Sequence, residues 1–96
     1  MRLHNSITDI KPLGSLSTKL KTLVLSNNKI QDISSISSLI NLKELYLSNN
    51  NISDIKPLEN LIRLERLYLK GNPINDYSPV KSNYDKLPIY KDFDLP

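Results

Sequence analysis

The chain has 96 residues, which allows one domain at most. Lys and Arg (13) outnumber Asp and Glu (10), and the resulting net charge of +3 is too small to indicate a nucleic acid or an anionic membrane as partner. The absence of Cys excludes a disulfide scaffold, thiolate metal sites and a cysteine nucleophile. No apolar run exceeds three residues, so the sequence predicts no membrane insertion.

The first residues, Met1–His4, lead directly into patterned sequence, so we expect no signal peptide within this chain. The sequence leaves open whether the chain is full length or a fragment. If it is part of a longer secreted protein, its location is extracellular or at the cell surface.

A 22-residue repeat dominates the sequence. The string LxxLxLxxN begins at Leu20 and returns at Leu42 and at Leu64. Each copy continues with an Ile two residues after its Asn, and with an Asp two residues later again. In a strand, the two closely spaced Leu residues point to the same face, so copies stacked about 4.8 Å apart form a parallel sheet over a Leu core. The Asn column is predicted to satisfy the inward-turned backbone groups after each strand, and its members each other; its residues are Asn28, Asn50 and Asn72.

The convex side is predicted to hold 3₁₀ or single-turn helices, because too few residues remain for a full α-helix. The recurring Asp is a favoured N-cap, and Pro is tolerated near the first helical position. Carboxylates at this spacing are also candidates for acid–base chemistry, but capping explains each of them: Asp9, Asp32, Asp54 and Asp76.

These copies resemble the leucine-rich repeat family in its 22-residue form, which occurs in internalin-like bacterial surface proteins and in a eukaryotic phosphatase-regulator family. The resemblance covers roughly residues 5 to 82. It implies an α/β solenoid: a short leucine-rich repeat horseshoe segment with a parallel concave sheet and 3₁₀ or short helical turns on the convex side. It also implies a recognition scaffold without naming a partner.

The repeat pattern divides the chain into three parts. Residues 1–19 are a truncated first copy, offset by 23 residues with the extra one in Gly14–Lys19, and 20–80 hold the full copies (20–41, 42–63 and a partial 64–80). Residues 81–96 are predicted to be a C-terminal cap or exit segment. A further copy starting at Leu87 would place Tyr90 and Asp92 in strand Leu positions. The uncovered first strand predicts either an imperfect cap on a monomer or weak end-to-end self-association.

Strand positions that point away from the core form the candidate partner-binding face. Aromatic residues and Arg are enriched in interface hot spots, whereas Tyr is also a common strand residue and Glu44 beside Arg66 forms an ordinary surface pair in the simplest interpretation. The predicted partner-binding residues are Val24, Glu44, Tyr46, Arg66, Tyr68 and Lys70.

Two functions remain open from the sequence. The first is a non-catalytic protein–protein interaction module whose partner is a protein of unknown identity, and the second is a structural spacer in a longer surface solenoid with binding located elsewhere. Nucleic-acid binding is not expected, because Glu65 interrupts the row of Lys21 and Lys43. No catalytic residues, metal site or cofactor are predicted, since His4 is the single His and no nucleophile–base pair or ligand motif is present.

Overall fold

The computed structural model describes residues 6–15, 19–81 and 90–91. In chain order, 3₁₀ turns alternate with short strands: η1 (Lys11–Ser15), β1 (Thr22–Val24), η2 (Ser34–Ser38), β2 (Glu44–Tyr46), η3 (Lys56–Leu58) and β3 (Arg66–Tyr68). A helical segment covers 78–81, and β4 (Tyr90–Lys91) follows. The predicted solenoid with strands on one side and 3₁₀ turns on the other is confirmed.

The strands form one parallel sheet in the order β1-β2-β3-β4. Leu23 lies opposite Leu45, and Leu45 lies opposite Leu67, so the 22-residue period of the sequence becomes the register of the sheet. Each strand has three residues with its central Leu buried. Such a strand cannot bury its Leu alone, and stacking of copies supplies the missing neighbours.

The core is a column of Leu and Ile side chains between the sheet and the 3₁₀ turns. The second Leu of each strand segment is fully buried, and so are Leu39 after η2 and Leu61 after η3. Ile7, Leu20 and Tyr77 pack on its border as partly buried residues. The fully buried members with the largest side chains are Leu23, Leu25, Ile30, Ile33, Ile36, Leu39, Leu42, Leu45, Leu47, Ile52, Ile55 and Leu58.

The recurring Asp residues hold the start of each convex turn. The Asp32 carboxylate accepts a hydrogen bond from the Ser34 N–H at 2.9 Å, and the other copies repeat this bond between Asp and the second residue after it. Our prediction places Asp at the N-cap, but the residue directly before η2 is Ile33, which makes no side-chain cap bond. The carboxylate therefore organises the turn from one position further upstream. Pro follows at the second position of two of these 3₁₀ turns, where its missing N–H costs nothing.

The first copy joins the stack at Ile7. The Lys29 N–H donates to the Ile7 carbonyl at 2.9 Å, as the Asn51 N–H donates to the Ile30 carbonyl in the next copy. Turns η1 and η2 keep the 23-residue offset over their whole length, so the extra residue lies between Ser15 and Leu20. The predicted weakness of the N-terminal edge concerns Met1–Asn5, which lie outside the described residues.

The C-terminal segment adds a strand that we did not predict. Tyr90 lies opposite Arg66 and Lys91 opposite Leu67, so β4 extends the sheet beyond the three repeat strands. Counting from Leu87 would put Tyr90 in the Leu67 row, and the structure shifts the pairing by one residue. A shift of one residue exchanges the two faces of a strand.

Candidate protein-binding surface

The concave face consists of the strand side chains that alternate with the buried Leu residues. Thr22 lies opposite Glu44, and Glu44 opposite Arg66, which makes one row along the stack. Val24, Tyr46 and Tyr68 make a second row and are all half-buried. The register thus brings together five of the six residues selected from the sequence. The sixth, Lys70, is exposed two residues beyond the end of β3.

Tyr46 and Tyr68 stack on each other at the centre of this face. Their ring centroids are 4.8 Å apart with an angle of 11° between the ring planes. This separation matches the spacing of neighbouring strands in a sheet, so each ring stands above its own strand. The pair therefore forms a rigid aromatic platform that needs no distortion of the backbone.

Polar groups on the same face fix both phenol rings. The Tyr46 hydroxyl donates to Glu44 Oε1 at 2.8 Å, and this hydrogen bond, with some burial, raises the pKa of Tyr46. A hydrogen bond to Tyr68 raises the pKa of Arg66, and the Glu44 carboxylate adds a smaller electrostatic contribution in the same direction. Since both bonds join positions two apart on one strand, β2 and β3 each present a Tyr held by its own charged neighbour.

The Asn column lies behind this face, where each strand ends. The Asn50 side-chain amide donates to the carbonyls of Leu47 in its own copy (2.8 Å) and Leu25 in the preceding copy (3.1 Å). Its Oδ1 accepts the Ile30 N–H at 3.1 Å. The column connects neighbouring copies through backbone groups, including those of its own members, since the Asn50 N–H donates to Asn72 Oδ1 at 3.1 Å. Asn28 and Asn72 make corresponding bonds to Leu25 and Leu69.

A second column next to these Asn residues was missed from the sequence. Asn27 and Asn49 have positive φ angles of 63° and 60°, and Gly71 has 84°. The Asn49 side chain donates to Asn27 Oδ1 at 2.9 Å. A Cβ at position 71 would collide with Asn49 Oδ1, so Gly71 leaves the room that the neighbouring amide occupies. The recurring Asn-Asn dipeptide was the signal, because Asn tolerates the left-handed conformation better than most residues.

The described residues hold neither a metal-ligand cluster nor a membrane-spanning helix. Within the ranges 6–15 and 19–81, no group of three or more His, Asp or Glu residues is placed to hold a metal ion. No helix among the same residues is long and apolar enough to cross a membrane. What the surface does present is a sheet with aromatic and charged side chains in rows.

Comparison with known proteins identifies relatives of this fold. The family of "Leucine Rich repeats (2 copies)" matches residues 1–39 and 40–82. Internalin C2 from Listeria monocytogenes is 41% identical with a TM-score of 0.82, covering 90% of this chain and 37% of its own. An internalin (InlF) from the same species is 38% identical with a TM-score of 0.80, covering 86% of this chain and 24% of its own.

A leucine-rich repeat protein from Leptospira interrogans is more distant, at 26% identity and a TM-score of 0.63, and covers 97% of this chain and 30% of its own. No curated protein matches the chain. The chain spans 37% or less of the length of these solved structures. The chain therefore belongs to the leucine-rich repeat family, and its repeats are internalin-like.

Proposed function

We propose that this leucine-rich repeat domain is a non-catalytic interaction module that presents its concave sheet to a protein partner. The observation that supports this is the stacked pair of Tyr46 and Tyr68, held at the centre of the face by Glu44 and Arg66. Interface hot spots are enriched in Tyr and Arg and cluster near the centre of the contact area. Val24 and Lys70 extend the same surface on either side. We also propose an extracellular or cell-surface location, by analogy with the internalin-like proteins.

The fixed position of the Tyr46 and Tyr68 rings favours a role in binding over a role in sheet packing alone. A side chain that is already fixed loses little conformational entropy when a partner covers it. Both hydroxyls are engaged at the rim of the rings, so the ring surfaces remain the groups that a partner would desolvate. The competing spacer function is favoured by the small size of the array, since a specific interface buries about 800 Å² per partner.

The test is a capture and affinity experiment with a photo-crosslinking amino acid at position 22, on the concave face beside Glu44, which leaves the tyrosine pair intact. A captured protein is then purified, and its affinity is measured for the wild-type chain, for Tyr46→Ala/Tyr68→Ala, and for Ser53→Ala/Asn60→Ala as a control with two exposed convex residues. We expect the tyrosine variant to bind about 30-fold more weakly or worse, as for hot-spot residues. The control should bind like the wild type.

Equal affinity of the wild type and a folded tyrosine variant would contradict the proposal and favour the spacer function. Folding is checked by the far-UV circular dichroism spectrum and by the thermal midpoint. Both tyrosines are half-buried on the surface of the sheet, so their removal leaves the Leu core intact.

A further inference from the structure

The amino ends of the strands border a groove that is separate from the tyrosine pair. This groove, which we call the basic groove, has a volume of about 460 Å³. Its lining consists of Lys19, Lys21, Asn41, Lys43 and Arg63. Neither Tyr46 nor Tyr68 belongs to it, so it can be tested independently of the concave face.

Residues from two positions of the 22-residue repeat, each of which we call a slot, meet in the basic groove. Residues 19, 41 and 63 occupy one slot, and 21, 43 and 65 occupy the other. The Lys43 N–H donates to the Lys21 carbonyl at 2.8 Å, and the Glu65 N–H to the Lys43 carbonyl at 2.7 Å, which stacks the second slot. Arg63 Nη1 donates to Asn41 Oδ1 at 2.7 Å, which links neighbours in the first slot. The fold thus collects cations that are spread over 45 positions of the chain, from Lys19 to Arg63.

The lining of the groove carries four cations and no carboxylate. Beside the lining, Glu65 forms an ion pair with Lys43, with 3.9 Å between Glu65 Oε2 and Lys43 Nζ. Both side chains of that pair are about half exposed (49% and 59%), so the pair is weak. Four positive charges and one negative charge give +3, which equals the net charge of the whole chain. The remainder of the chain is therefore neutral overall, and the net charge of +3 is concentrated at the basic groove.

A groove lined by cations attracts a ligand with several negative charges along its length. Single-stranded nucleic acids rely on aromatic side chains on which bases stack, and the lining contains none. A membrane surface is flat and contacts protruding residues, whereas a groove accommodates a linear polymer chain. The Arg63 guanidinium, held by Asn41, presents a planar set of donors that suits an oxyanion with several oxygens.

We propose that the basic groove binds a strand of a sulfated polysaccharide through its sulfate groups. Lys21, Lys43 and Arg63 contact the sulfates, and Glu65 limits the affinity because it occupies Lys43. This binding is additional to the protein contact proposed for the concave face and does not depend on it. With three engaged charges and the salt dependence known for single-stranded polyanions, raising the salt concentration from roughly 50 to 200 mM should weaken binding by about 20-fold.

The experiment measures the affinity of a heparin octasaccharide for the chain by titration calorimetry, with the fully desulfated octasaccharide as the matched ligand. Lys21→Gln/Lys43→Gln should weaken binding about tenfold or more, since one contact between charges near 4 Å in water corresponds to roughly a fivefold change. Lys29→Gln/Lys56→Gln removes the same charge from exposed positions outside the groove and should have a much smaller effect. Glu65→Gln should strengthen binding.

Three results would overturn the proposal: no binding of the sulfated octasaccharide, equal binding of the desulfated one, or an equal loss in the two Lys variants. Stronger binding of polyadenylate or of vesicles containing phosphatidylserine would overturn it as well, in favour of a nucleic acid or a membrane. Tyr46→Ala/Tyr68→Ala should keep its affinity for the octasaccharide, which separates this test from that of the concave face.

Discussion

At the carboxyl ends of strands β1, β2 and β3, every copy of the repeat carries Asn in the same slot, whereas the slots at the amino ends vary between Lys, Asn, Arg and Glu. The difference follows burial. Asn28 and Asn50 are only 7% and 5% exposed, and their amides satisfy backbone groups that water cannot reach. Lys43 and Glu65 are solvated, so many residues would serve there equally well.

The comparison shows where this domain has freedom to acquire a specific surface. A slot that must satisfy buried donors and acceptors is restricted to one side chain, and a solvated slot can vary without loss of stability. The same reasoning covers the concave rows, where Thr22, Glu44 and Arg66 share one slot and differ in charge. Recognition is therefore expected on the variable slots, and stability on the invariant ones.

The largest effect is expected for Asn50→Ala at the carboxyl end of β2. The change leaves the Ile30 N–H without its bond, and an unsatisfied buried group costs roughly 1–3 kcal/mol. It also removes one of the two bonds that the Leu47 carbonyl accepts, the other coming from Asn72 Nδ2. Urea unfolding measures the loss in the free energy of unfolding. Asn41→Ala is the matched control at the amino end of the same strand, and it should change stability by only about 0.5 kcal/mol. Similar losses in the free energy of unfolding for the two variants would contradict the proposed difference between the two ends of the strands.

A smaller effect is expected for Gly71→Ala, which tests the positive-φ column. An Ala at φ 84° lowers the free energy of unfolding by about 1–2 kcal/mol, and its Cβ also collides with Asn49 Oδ1. The thermal midpoint should fall. Adding Asn49→Gly, which tolerates the positive φ of 60° at that position, should recover the part of the loss that comes from the contact and leave the part that comes from the backbone conformation at position 71. An unchanged midpoint in Gly71→Ala would show that this slot is as permissive as those at the amino ends.

The smallest effect concerns pH and the Asp residues of the convex turns. The backbone N–H groups of Ser34 and Ser78, which donate to the carboxylates, lower the pKa of Asp32 and Asp76 below the ordinary value of 3.8. Their contribution to stability is therefore complete above pH 3.8 and is lost as the pH falls through the lower folded-state values.

Asp32→Asn/Asp76→Asn keeps an oxygen that can accept the same bonds but removes the titration. Its thermal midpoint should decrease less than that of the wild type between about pH 5 and pH 3. Parallel curves for the two proteins would show that these carboxylates do not contribute to the pH dependence of stability.

The repeat period was enough to predict the sheet, the core and the concave rows. A strict spacing of 22 residues fixes the register of one copy on the next, and alternation along a strand then decides which side chains are buried. Tyr46 could be placed beside Tyr68 in this way, because only their slots were needed. The Asn column followed from the same logic, although its bonds run to the backbone of the preceding copy.

Only the tertiary structure decided features that depend on contacts between different slots or on segments outside the repeat. Lys19 and Arg63 join Lys21 and Lys43 in one groove because two positions of the repeat meet where the chain approaches the sheet. The repeat period groups only residues at the same position, so it does not predict this meeting. Strand β4 pairs one residue away from the count because no Leu period fixes its register. Strand alternation already places Tyr46 and Glu44 on one face, but the hydrogen bond between them depends on side-chain conformations that the repeat period does not determine.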